Sequence, residues 1–502
     1  MPVLRKKGVQ LLFVHELIQQ GTPSSIAFHG KDYVTYAEFS QQVEKYRNYF
    51  YMSGIRTGEN VGLFSRNSVD FVYSYMAIVS LGAVVVPINF QLTARETAFI
   101  IKDAKMKQLV TMERLDLDDE LVQLGYAQEV KQLVLPDVRQ VVEHQRLFAA
   151  PAISDEFDEN RPCVIIYTSG TTGSPKGAVL SHKNLVSNAK AFGEVLPVTA
   201  GDNVLCVLPM YHCFAWTCAI LNALLCGASI TVLEAFAPKE TIAAIKEYGV
   251  TVIYGVPPMY NLLTRVGQRD DLAGVKLLIS GGASLPEKVA IQFADKYGIK
   301  ILEGYGLSEA SPVVALNPVE KPKYCSIGKA LPGLEVTVVD EQGQSLPPGV
   351  VGEIVVRGPT VMLGYFNLPD ETAKAMKDGW LHTGDLAYRD AEGYFFVVDR
   401  LKDLIIANGE NIYPREIEEL LYAYPGIIEA SVIGVPDQLR GQVARAYIVL
   451  AEGQHFDKKA VREYLQSNIA AYKIPRDFIV VNALPKNQTG KILKRVLREQ
   501  AG

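Results

Sequence analysis

The segment Tyr167-Thr-Ser-Gly-Thr-Thr-Gly-Ser-Pro-Lys-Gly177 is a loop of glycines, hydroxyl side chains and one lysine, and it follows the apolar run Cys-Val-Ile-Ile. Glycines let backbone N–H groups approach phosphate oxygens, hydroxyl groups add donors, and Lys176 adds a positive charge. The Gly-Lys-Ser/Thr order of the Walker loop is absent. A plain Ser/Gly-rich turn is the alternative, but so many donors directly after a buried strand favour a phosphate-binding loop.

Apolar, β-rich runs alternate with amphipathic helical stretches on both sides of this loop. The alternation is typical of an α/β protein with largely parallel sheets. We predict strands that are each followed by a turn or a helix start at Val61–Ser65, Cys163–Thr168, Asn203–Leu208, Val252–Tyr254 and Lys276–Ser280.

The character of the sequence changes twice in its second half. From Gly328 onward β-rich segments alternate with turns, and a further break falls near Arg400. Beyond that break come a helix at Pro414–Tyr422, two apolar strands, and a helix at Lys458–Ala471. These elements are enough for a small α+β domain of about a hundred residues. We therefore predict one domain at residues 1–400 and a smaller one at residues 401–502.

Length, composition and charge limit the classes of protein that fit. A chain of 502 residues exceeds what one hydrophobic core usually supports, so at least two domains are expected. Hydrophobic residues make up 48% and charged residues 21%, which is typical of globular proteins. The net charge of -5 argues against a nucleic-acid-binding protein, because no basic excess exists to neutralise phosphates.

The cysteines and apolar stretches bear on location. The cysteines are scattered without metal-ligand spacing, which indicates buried thiols in a reducing compartment, and we expect a cytoplasmic protein. The N-terminus lacks a small-residue cleavage site, so we expect no signal peptide. The uncharged stretches Phe71–Ala94 and Asn203–Leu233 are long enough to span a bilayer, but polar residues and prolines interrupt both. We therefore expect no transmembrane segment. Peripheral contact with a membrane and assembly as a homodimer are both compatible with the sequence.

Further motifs follow the loop in a fixed order along nearly the whole chain. They are Ser280-Gly-Gly-Ala-Ser284, Glu303-Gly-Tyr-Gly-Leu-Ser-Glu309, Gly352-Glu-Ile, Trp380-Leu-His-Thr-Gly-Asp385, Asp399-Arg-Leu-Lys-Asp403, Gly409-Glu-Asn-Ile-Tyr-Pro414 and Pro485-Lys-Asn-Gln-Thr-Gly-Lys491. With this ordered set the chain resembles the adenylate-forming superfamily, and within it the fatty acyl-CoA synthetases. The resemblance implies a large α/β N-terminal domain with mixed or parallel sheets and a β-rich subdomain, followed by a small mobile α+β domain.

The implied reaction is ATP-dependent joining of a carboxylic acid to AMP, followed by transfer of the acyl group to coenzyme A. By the resemblance, Glu309 and Thr168 help to bind Mg²⁺, and Ser308 replaces the usual threonine while keeping its hydroxyl group. The resemblance also implies a set of residues around the phosphates of ATP: Thr168, Ser169, Gly170, Thr171, Thr172, Gly173 and Lys176.

The adenosine of ATP has its own implied residues. Tyr305 is expected to stack on adenine, and Gly282 and Ala283 to form the opposite wall. Asp385 is expected to accept hydrogen bonds from the ribose hydroxyls, and Arg400 to donate to the ribose. Neighbours that the resemblance adds to the nucleotide site are Glu303, Gly304 and Gly306.

The resemblance also implies roles in the two half-reactions for three further positions. Lys491 is the expected catalytic lysine, whose ammonium neutralises the charge shared by carboxylate and α-phosphate. Lys402 is the expected hinge, where rotation moves the lysine loop out and the Gly409 loop in. Gly409 has no side chain and leaves room for the pantetheine arm of CoA.

The acid itself is less defined by the motifs. Peptide-synthetase domains carry an aspartate for the substrate's ammonium, and His212 stands at that position here, which disfavours an amino acid. We expect His212 beside the substrate carboxylate, in a catalytic role with Glu309 and Lys491, and Trp216 as a gate of the acyl pocket. Gly281 and Gly306 complete this pocket. A packed core histidine and a packing tryptophan are the alternatives.

A fatty acid is the expected substrate, with aryl and short branched acids as alternatives. Two other functions share the motifs: a luciferase-like oxygenase, and a carrier-protein loader or non-catalytic regulator. Nothing in the chain marks oxygen chemistry. The complete set of Lys176, Glu309, Asp385, Arg400 and Lys491 argues against loss of catalysis.

Overall fold

The computed structural model describes most of the chain. The described residues are 12–30, 33–145, 147–154, 157–168, 175–486 and 491–501. Part of the predicted phosphate loop lies outside these residues, namely Ser169, Gly170, Thr171, Thr172 and Gly173.

Helices account for the amphipathic stretches of the sequence. The α-helices are α1 (Tyr36–Met52), α2 (Val69–Ser80), α3 (Ala94–Asp103), α4 (Asp118–Gln123), α5 (Leu135–His144), α6 (His182–Val195), α7 (Asn222–Leu225), α8 (Pro238–Tyr248), α9 (Pro257–Val266), α10 (Glu287–Tyr297), α11 (Pro369–Ala375), α12 (Pro414–Ala423), α13 (Lys458–Gln466) and α14 (Lys494–Ala501). A π-helix spans Ala215–Leu221, and short 3₁₀ helices lie at Val14–Gln20, Arg269–Leu272, Ser308–Ala310, Leu401–Asp403 and Ala471–Lys473.

The strands fall into four sheets. They are β1 (Ile26–His29), β2 (Val34–Thr35), β3 (Asn60–Phe64), β4 (Val84–Ile88), β5 (Gln108–Thr111), β6 (Lys131–Val134), β7 (Pro162–Thr168), β8 (Lys176–Ser181), β9 (Asn203–Cys206), β10 (Ser229–Val232), β11 (Val252–Gly255), β12 (Leu277–Ser280), β13 (Ile301–Gly306), β14 (Val313–Leu316), β15 (Lys329–Ala330), β16 (Glu335–Val339), β17 (Gly352–Arg357), β18 (Gly364–Tyr365), β19 (Met376–Lys377), β20 (Trp380–Arg389), β21 (Phe395–Arg400), β22 (Ile405–Ala407), β23 (Glu410–Ile412), β24 (Ile427–Asp437), β25 (Gly441–Leu450) and β26 (Asp477–Val480).

Two large sheets with helices around them form the N-terminal part. One has the order β18-β8-β7-β4-β3-β5-β6, and the other the order β15-β14-β13-β12-β11-β9-β10-β1-β2. Central strands such as β3 and β4, and β11 to β13, pair in parallel, whereas β2 and β14 pair antiparallel with their neighbours. Strands such as β3 and β4 are uninterrupted apolar runs because both faces of a central parallel strand are buried. The predicted α/β class with mixed sheets is confirmed.

Apart from β18, the strands after β15 form the two smaller sheets. β16, β17, β20, β19 and β21 form an antiparallel sheet, in which Asp385 on β20 lies opposite Arg400 at the end of β21. After Arg400, β22 to β26 form a separate sheet with a hydrophobic cluster of its own, built around Ile417, Val432 and Leu465. The carboxyl ends of β12 and β13, the β-rich sheet and this last unit meet at one cleft.

Two predicted elements end earlier than expected. The strand predicted at Asn203–Leu208 stops at Cys206, because the Asn67 side chain bonds the backbone that follows, donating to Leu208 O at 2.9 Å and accepting from the next turn. The helix predicted at Lys458–Ala471 stops at Gln466. The side chains of Ser467 and Asn468 donate to carbonyl groups of the last helical turn at 3.0 and 2.7 Å, which ends the helix.

The two long apolar stretches of the sequence are helices and strands of this core. The first contains α2 and β4, and the second contains β9, the π-helix, α7 and β10. Over the described ranges, no helix combines the length and apolar character needed to cross a bilayer.

Gly328 joins the nine-stranded sheet to the β-rich sheet. Its carbonyl accepts from Phe395 N at 2.8 Å, and its φ is +84°. A Cβ at this position would lie 2.0 Å from the carbonyl carbon of Leu316, which is backbone and has no room to move. Both the conformation and the contact therefore require glycine here.

We expect Gly328→Ala to destabilise the protein by about 2–4 kcal/mol, through backbone strain and the forced separation of the two sheets. Gly343→Ala is the matched control, because Gly343 has a φ of +79° and a Cβ added there would meet nothing within 4 Å. It should cost only about 1–2 kcal/mol. Urea unfolding of the variants measures the difference, and equal losses would contradict the role given to Gly328.

Candidate active site

A cavity of about 660 Å³ lies between the nine-stranded sheet, the β-rich sheet and the C-terminal unit. The carboxyl ends of parallel strands β12 and β13 open into it, which is the usual place for ligands in open α/β sheets. The structure brings together here residues predicted from several distant motifs: Gly282, Ala283, Glu303, Gly304, Tyr305, Gly306, Asp385, Arg400, Lys402 and Lys491.

Asp385 is the centre of the hydrogen bonding in the cavity. It is buried, its Oδ2 accepts from the Tyr305 hydroxyl at 2.5 Å, and its Oδ1 lies 3.1 Å from Arg400 Nε. Burial and the neighbouring carboxylate raise the pKa of Tyr305 far above its usual value. Tyr305 is therefore a neutral donor, and its ring is fixed by a bond to the β-rich sheet.

Glu303 is a buried carboxyl group beside the Tyr305 ring. Leu285 N donates to its Oε1 at 3.0 Å. Burial raises the pKa of Glu303 to about 7, although the nearby Arg415 guanidinium lowers it in part. Glu303 is thus poised between its neutral and charged forms near physiological pH.

Lys491 enters the cavity from the C-terminal unit. Burial, followed by the nearby Arg400, lowers the pKa of Lys491 to about 8, and Asp385 opposes this shift. The lysine is still mainly protonated at pH 7, because its pKa lies above that value. The cavity therefore holds an ammonium group that is poorly solvated, which strengthens its attraction for an anion.

Next to the predicted phosphate loop, four side chains contact one another, those of Lys176, Glu309, Tyr365 and Glu371. The Tyr365 hydroxyl donates to Glu309 Oε1 at 2.8 Å, and the Lys176 ammonium lies 5.4 Å from the Tyr365 ring centroid. Lys176 also forms an ion pair with Glu371, and this hydrogen bond lowers the pKa of Glu371 to about 2. Tyr365 thus connects the end of the predicted phosphate loop to Glu309.

Sequence reasoning missed Tyr365 and Glu371. Their segment, from Gly364 to the start of α11, carried no recognised motif. Tyr365 reaches the site because β18 pairs with β8, so that Tyr365 lies opposite Ala178 and close to Lys176. This pairing is long-range, and only the order Gly-Tyr followed by Pro-Asp-Glu could have pointed to it.

Thr168 and Glu309 are the residues expected at a magnesium site. Thr168 ends β7 opposite Lys176, and its hydroxyl group lies 3.5 Å from the carbonyl oxygen of that residue. In the part of the chain that the structure describes, no group of three or more His, Cys, Asp or Glu side chains is placed to hold a metal. One carboxylate and a hydroxyl group fit Mg²⁺ only if phosphate and water supply the remaining ligands, which is the common arrangement for that ion.

His212 lies in the turn before the π-helix. Its Nδ1 accepts from Phe214 N at 3.2 Å, so the neutral ring carries its proton on Nε2. Burial, and then the charge of Lys491, lower the pKa of His212 to about 4. His212 is therefore a neutral donor at pH 7. The next residue, Cys213, has its Sγ 3.3 Å from the Ser308 hydroxyl oxygen.

Trp216 is packed in the core of the N-terminal part. Its ring stacks on Tyr75 with centroids 3.9 Å apart and contacts Phe71 at 5.8 Å, leaving 3% of the residue exposed. Trp216 is not among the described residues that line the cavity. Gly281 packs on Phe214, since a Cβ there would sit 3.2 Å from the Phe214 ring. At Gly306, a Cβ would meet Pro312 O at 2.1 Å.

Gly409 lies away from the cavity that holds Lys491. It forms a tight turn between β22 and β23 with Asn408, and both residues have positive φ, of +83° and +54°. A Cβ on Gly409 would meet nothing within 4 Å. The structure therefore brings Lys491 to the cleft and leaves Gly409 on an exposed surface.

Comparison with known proteins agrees with this geometry. Residues 16–366 match the AMP-binding enzyme family, and residues 416–491 match the AMP-binding enzyme C-terminal domain. ATP-bound MatB from Rhodopseudomonas palustris has the same fold, with a TM-score of 0.91 at 31% identity over 97% of this chain and 99% of that chain.

Curated relatives match along nearly their whole length. A feruloyl-CoA synthase from Amycolatopsis sp. is 35% identical over 94% of this chain and 95% of that protein. The long-chain-fatty-acid–CoA ligase of Bacillus subtilis (strain 168) is 34% identical over 99% of this chain and 95% of that protein. The chain therefore belongs to the AMP-binding enzyme family and is an AMP-forming acid–CoA ligase, with ATP and CoA as its co-substrates.

Proposed function

We propose that the structure represents the arrangement for the first half-reaction, in which a carboxylate oxygen attacks the α-phosphorus of ATP and pyrophosphate leaves. The observation that carries this proposal is the position of Lys491, in one cavity with Asp385 and Arg400. Two anions must meet in this step, and a fixed, poorly solvated ammonium group lowers the cost of their repulsion.

The adenosine would lie along β13. Tyr305, held by Asp385, presents a fixed aromatic face to the base, and Gly282 and Ala283 leave room on the other side. When the nucleotide binds, hydrogen bonds to the ribose hydroxyl groups would replace part of the contact between Asp385 and Arg400. Glycine at position 306 keeps the strand close to Pro312, so the wall of the site does not shift when the ligand binds.

The pyrophosphate portion would lie between Lys176 and the loop before it. Lys176 is bound to Glu371 in the described structure, and we propose that it turns to the phosphates when ATP binds. Mg²⁺, with Glu309 and Thr168 among its ligands, supplies neutralisation of phosphate charge when bound. Tyr365 holds the Glu309 carboxylate in place for this role.

His212 would face the carboxyl group of the acid. Its Nε2–H can donate to an oxygen of the carboxylate. Because the ring is neutral, it adds no second positive charge beside Lys491. A neutral histidine offers no counter-charge for an ammonium group, which disfavours an amino acid substrate.

The second half-reaction requires a different arrangement, because Gly409 lies outside this cavity. We propose that residues 401–502 rotate about Lys402 relative to residues 1–400, which removes Lys491 and brings the Gly409 turn to the acyl-adenylate. The thiol of CoA then attacks the acyl carbon and AMP leaves. The separate hydrophobic cluster of the C-terminal unit supports its movement as one body.

We propose a fatty acid as the substrate, with its chain directed from His212 past Gly281 towards Trp216. The surroundings of this path, including Phe214 and Cys213, are apolar or neutral. If the path opens when the acid binds, Trp216 stacked on Tyr75 would close its far end and set the length of chain that fits. An aryl acid is the second candidate, because a closed, aromatic-lined pocket also suits a flat ring. The free thiols of all six cysteines support a reducing, cytoplasmic setting.

The two half-reactions should respond in opposite ways to Lys491→Ala and Lys402→Pro. Lys491→Ala should lower acid-dependent ATP–pyrophosphate exchange about 10²–10³-fold, since one well-placed charge contributes roughly 3–4 kcal/mol to a transition state. It should still make acyl-CoA from presynthesised acyl-adenylate. Lys402→Pro should keep the exchange and lose thioester formation, because proline fixes φ at the hinge.

Both activities are measured on the same folded preparations, with Lys458→Ala as a control, since Lys458 begins α13 away from the cavity. Equal loss of both half-reactions in both variants would rule out the rotation mechanism for this protein.

Trp216→Ala should extend the range of acids that the enzyme accepts. Removing the indole opens space beside Tyr75, so the preferred fatty acid should lengthen, while the KM for ATP stays the same. AMP formation is measured with straight-chain acids from acetate to palmitate, and with benzoate and ferulate. Unchanged chain-length selectivity would reduce Trp216 to a packing residue. Activity with the aryl acids alone would replace the fatty acid by the second candidate.

A further inference from the structure

Arg415 crosses the cleft from the C-terminal unit to the β-rich sheet. It is the second residue of α12, after Pro414 at the first helical position. Its backbone N–H donates to Asp399 Oδ2 at 2.9 Å, and its Nη1 donates to Val397 O at 2.6 Å. Asp399 and Val397 belong to β21, which precedes the proposed hinge, so each bond joins the parts that must separate during rotation.

The Arg415 guanidinium is surrounded by carboxyl groups from both sides of the cleft. Within α12, Glu419 Oε1 lies 3.8 Å from Arg415 Nε. Across the cleft, the positive charge of the guanidinium lowers the pKa of the buried Glu303 carboxyl group on β13 and that of the Cys325 thiol. Arg415 and Glu303 line the same cavity. Glu419 has the opposite effect to Arg415 on Glu303, because its negative charge raises the pKa of the Glu303 carboxyl group.

Other charged groups also face this cluster. The negative charge of Glu287, at the start of α10, raises the pKa of both Glu419 and Cys325. The Glu287 backbone N–H also donates a hydrogen bond to the Glu419 carboxyl group. Glu418 adds negative charge beside Glu419 on the same helix, and Lys494 of α14 balances part of it, because its ammonium lies 2.8 Å from Glu418 Oε1. Among these groups Arg415 is the cation that faces Glu303, so its removal would leave carboxyl groups of the two sides facing one another.

We propose that Arg415 is a positioning residue for adenylation: it holds the C-terminal unit against the adenine wall through Val397 and Glu303, and thereby keeps Lys491 in the cavity. The inference rests on the proposed alternation of the two half-reactions. Rotation about Lys402 carries α12 and Arg415 away, which breaks the bond to Val397 and leaves Glu303 without its cation. Arg415 therefore favours one arrangement over the other without touching the reacting atoms.

The electrostatic part of this contact depends on pH. Glu303 has a raised pKa of about 7, so it is charged and attracts Arg415 above that pH, and it is neutral below it. The bond to Val397 O does not titrate. The contribution of Arg415 to adenylation should therefore be larger at pH 8 than at pH 6.

Arg415→Met keeps an unbranched, largely apolar stem and removes the guanidinium with its charge and donors. It should lower acid-dependent ATP–pyrophosphate exchange roughly tenfold at pH 8 and less at pH 6, because a hydrogen-bonded charge across an interface has been lost. Thioester formation from presynthesised acyl-adenylate should not fall. Arg415→Lys keeps the charge, and it should retain more of the exchange at pH 8 than Arg415→Met does.

The matched control is Arg462→Met, which removes an exposed arginine from α13 and should change neither activity. A double-mutant cycle provides the second measurement: in a Glu303→Gln background, Arg415→Met should lose less, and the pH dependence of its effect should vanish. Equal loss of both half-reactions with no dependence on pH would show that Arg415 only stabilises the fold, and would overturn the inference. Failure of the crossed pattern for Lys491 and Lys402 would instead overturn the proposed function, so the two failures are distinguishable.

Discussion

The carboxylate of Asp385 ties the nine-stranded sheet to the β-rich sheet at the point where the C-terminal unit begins. It accepts from Tyr305 on the nine-stranded sheet, belongs to β20 of the β-rich sheet, and pairs with Arg400, the last residue before the hinge segment. A buried carboxylate needs such partners, because an unpaired charge in this environment would be costly. The same bonds that satisfy Asp385 therefore fix the Tyr305 ring, which is the proposed adenine wall, and Arg400, after which the C-terminal unit begins.

Burial of charge at this junction also explains the chemistry of the cleft. Lys491 and Arg400 are cations brought close together, and burial with this repulsion lowers the pKa of Lys491 to about 8. An anionic substrate relieves the repulsion, so the cavity attracts the acid and the phosphates that it must join. Arg415 faces Glu303 on the other side of the adenine wall. In the proposed mechanism, the arrangement for adenylation is held by electrostatic contacts that rotation of the C-terminal unit would break and re-form.

The sequence predicted the parts of this site that depend on local order. Tyr305, Asp385, Arg400 and Lys491 stand in motifs with a fixed spacing, and the strands that carry the first two are rich in apolar residues. Tyr365 and Arg415 were not predicted, because their roles come from long-range contacts: β18 pairing with β8, and α12 packing on β21. The close packing of Trp216 on Tyr75 was hidden for the same reason, since α2 and the π-helix are far apart in sequence.

The formation of an acyl-adenylate at Lys491 is tested most directly with a substrate acid labelled with ¹⁸O in its carboxyl group. The acid, ATP and CoA are incubated with the enzyme, and the products are analysed by mass spectrometry. Attack of the carboxylate on the α-phosphorus predicts AMP that carries one ¹⁸O atom and pyrophosphate that carries none. Unlabelled AMP, or ADP with labelled orthophosphate, would contradict the account.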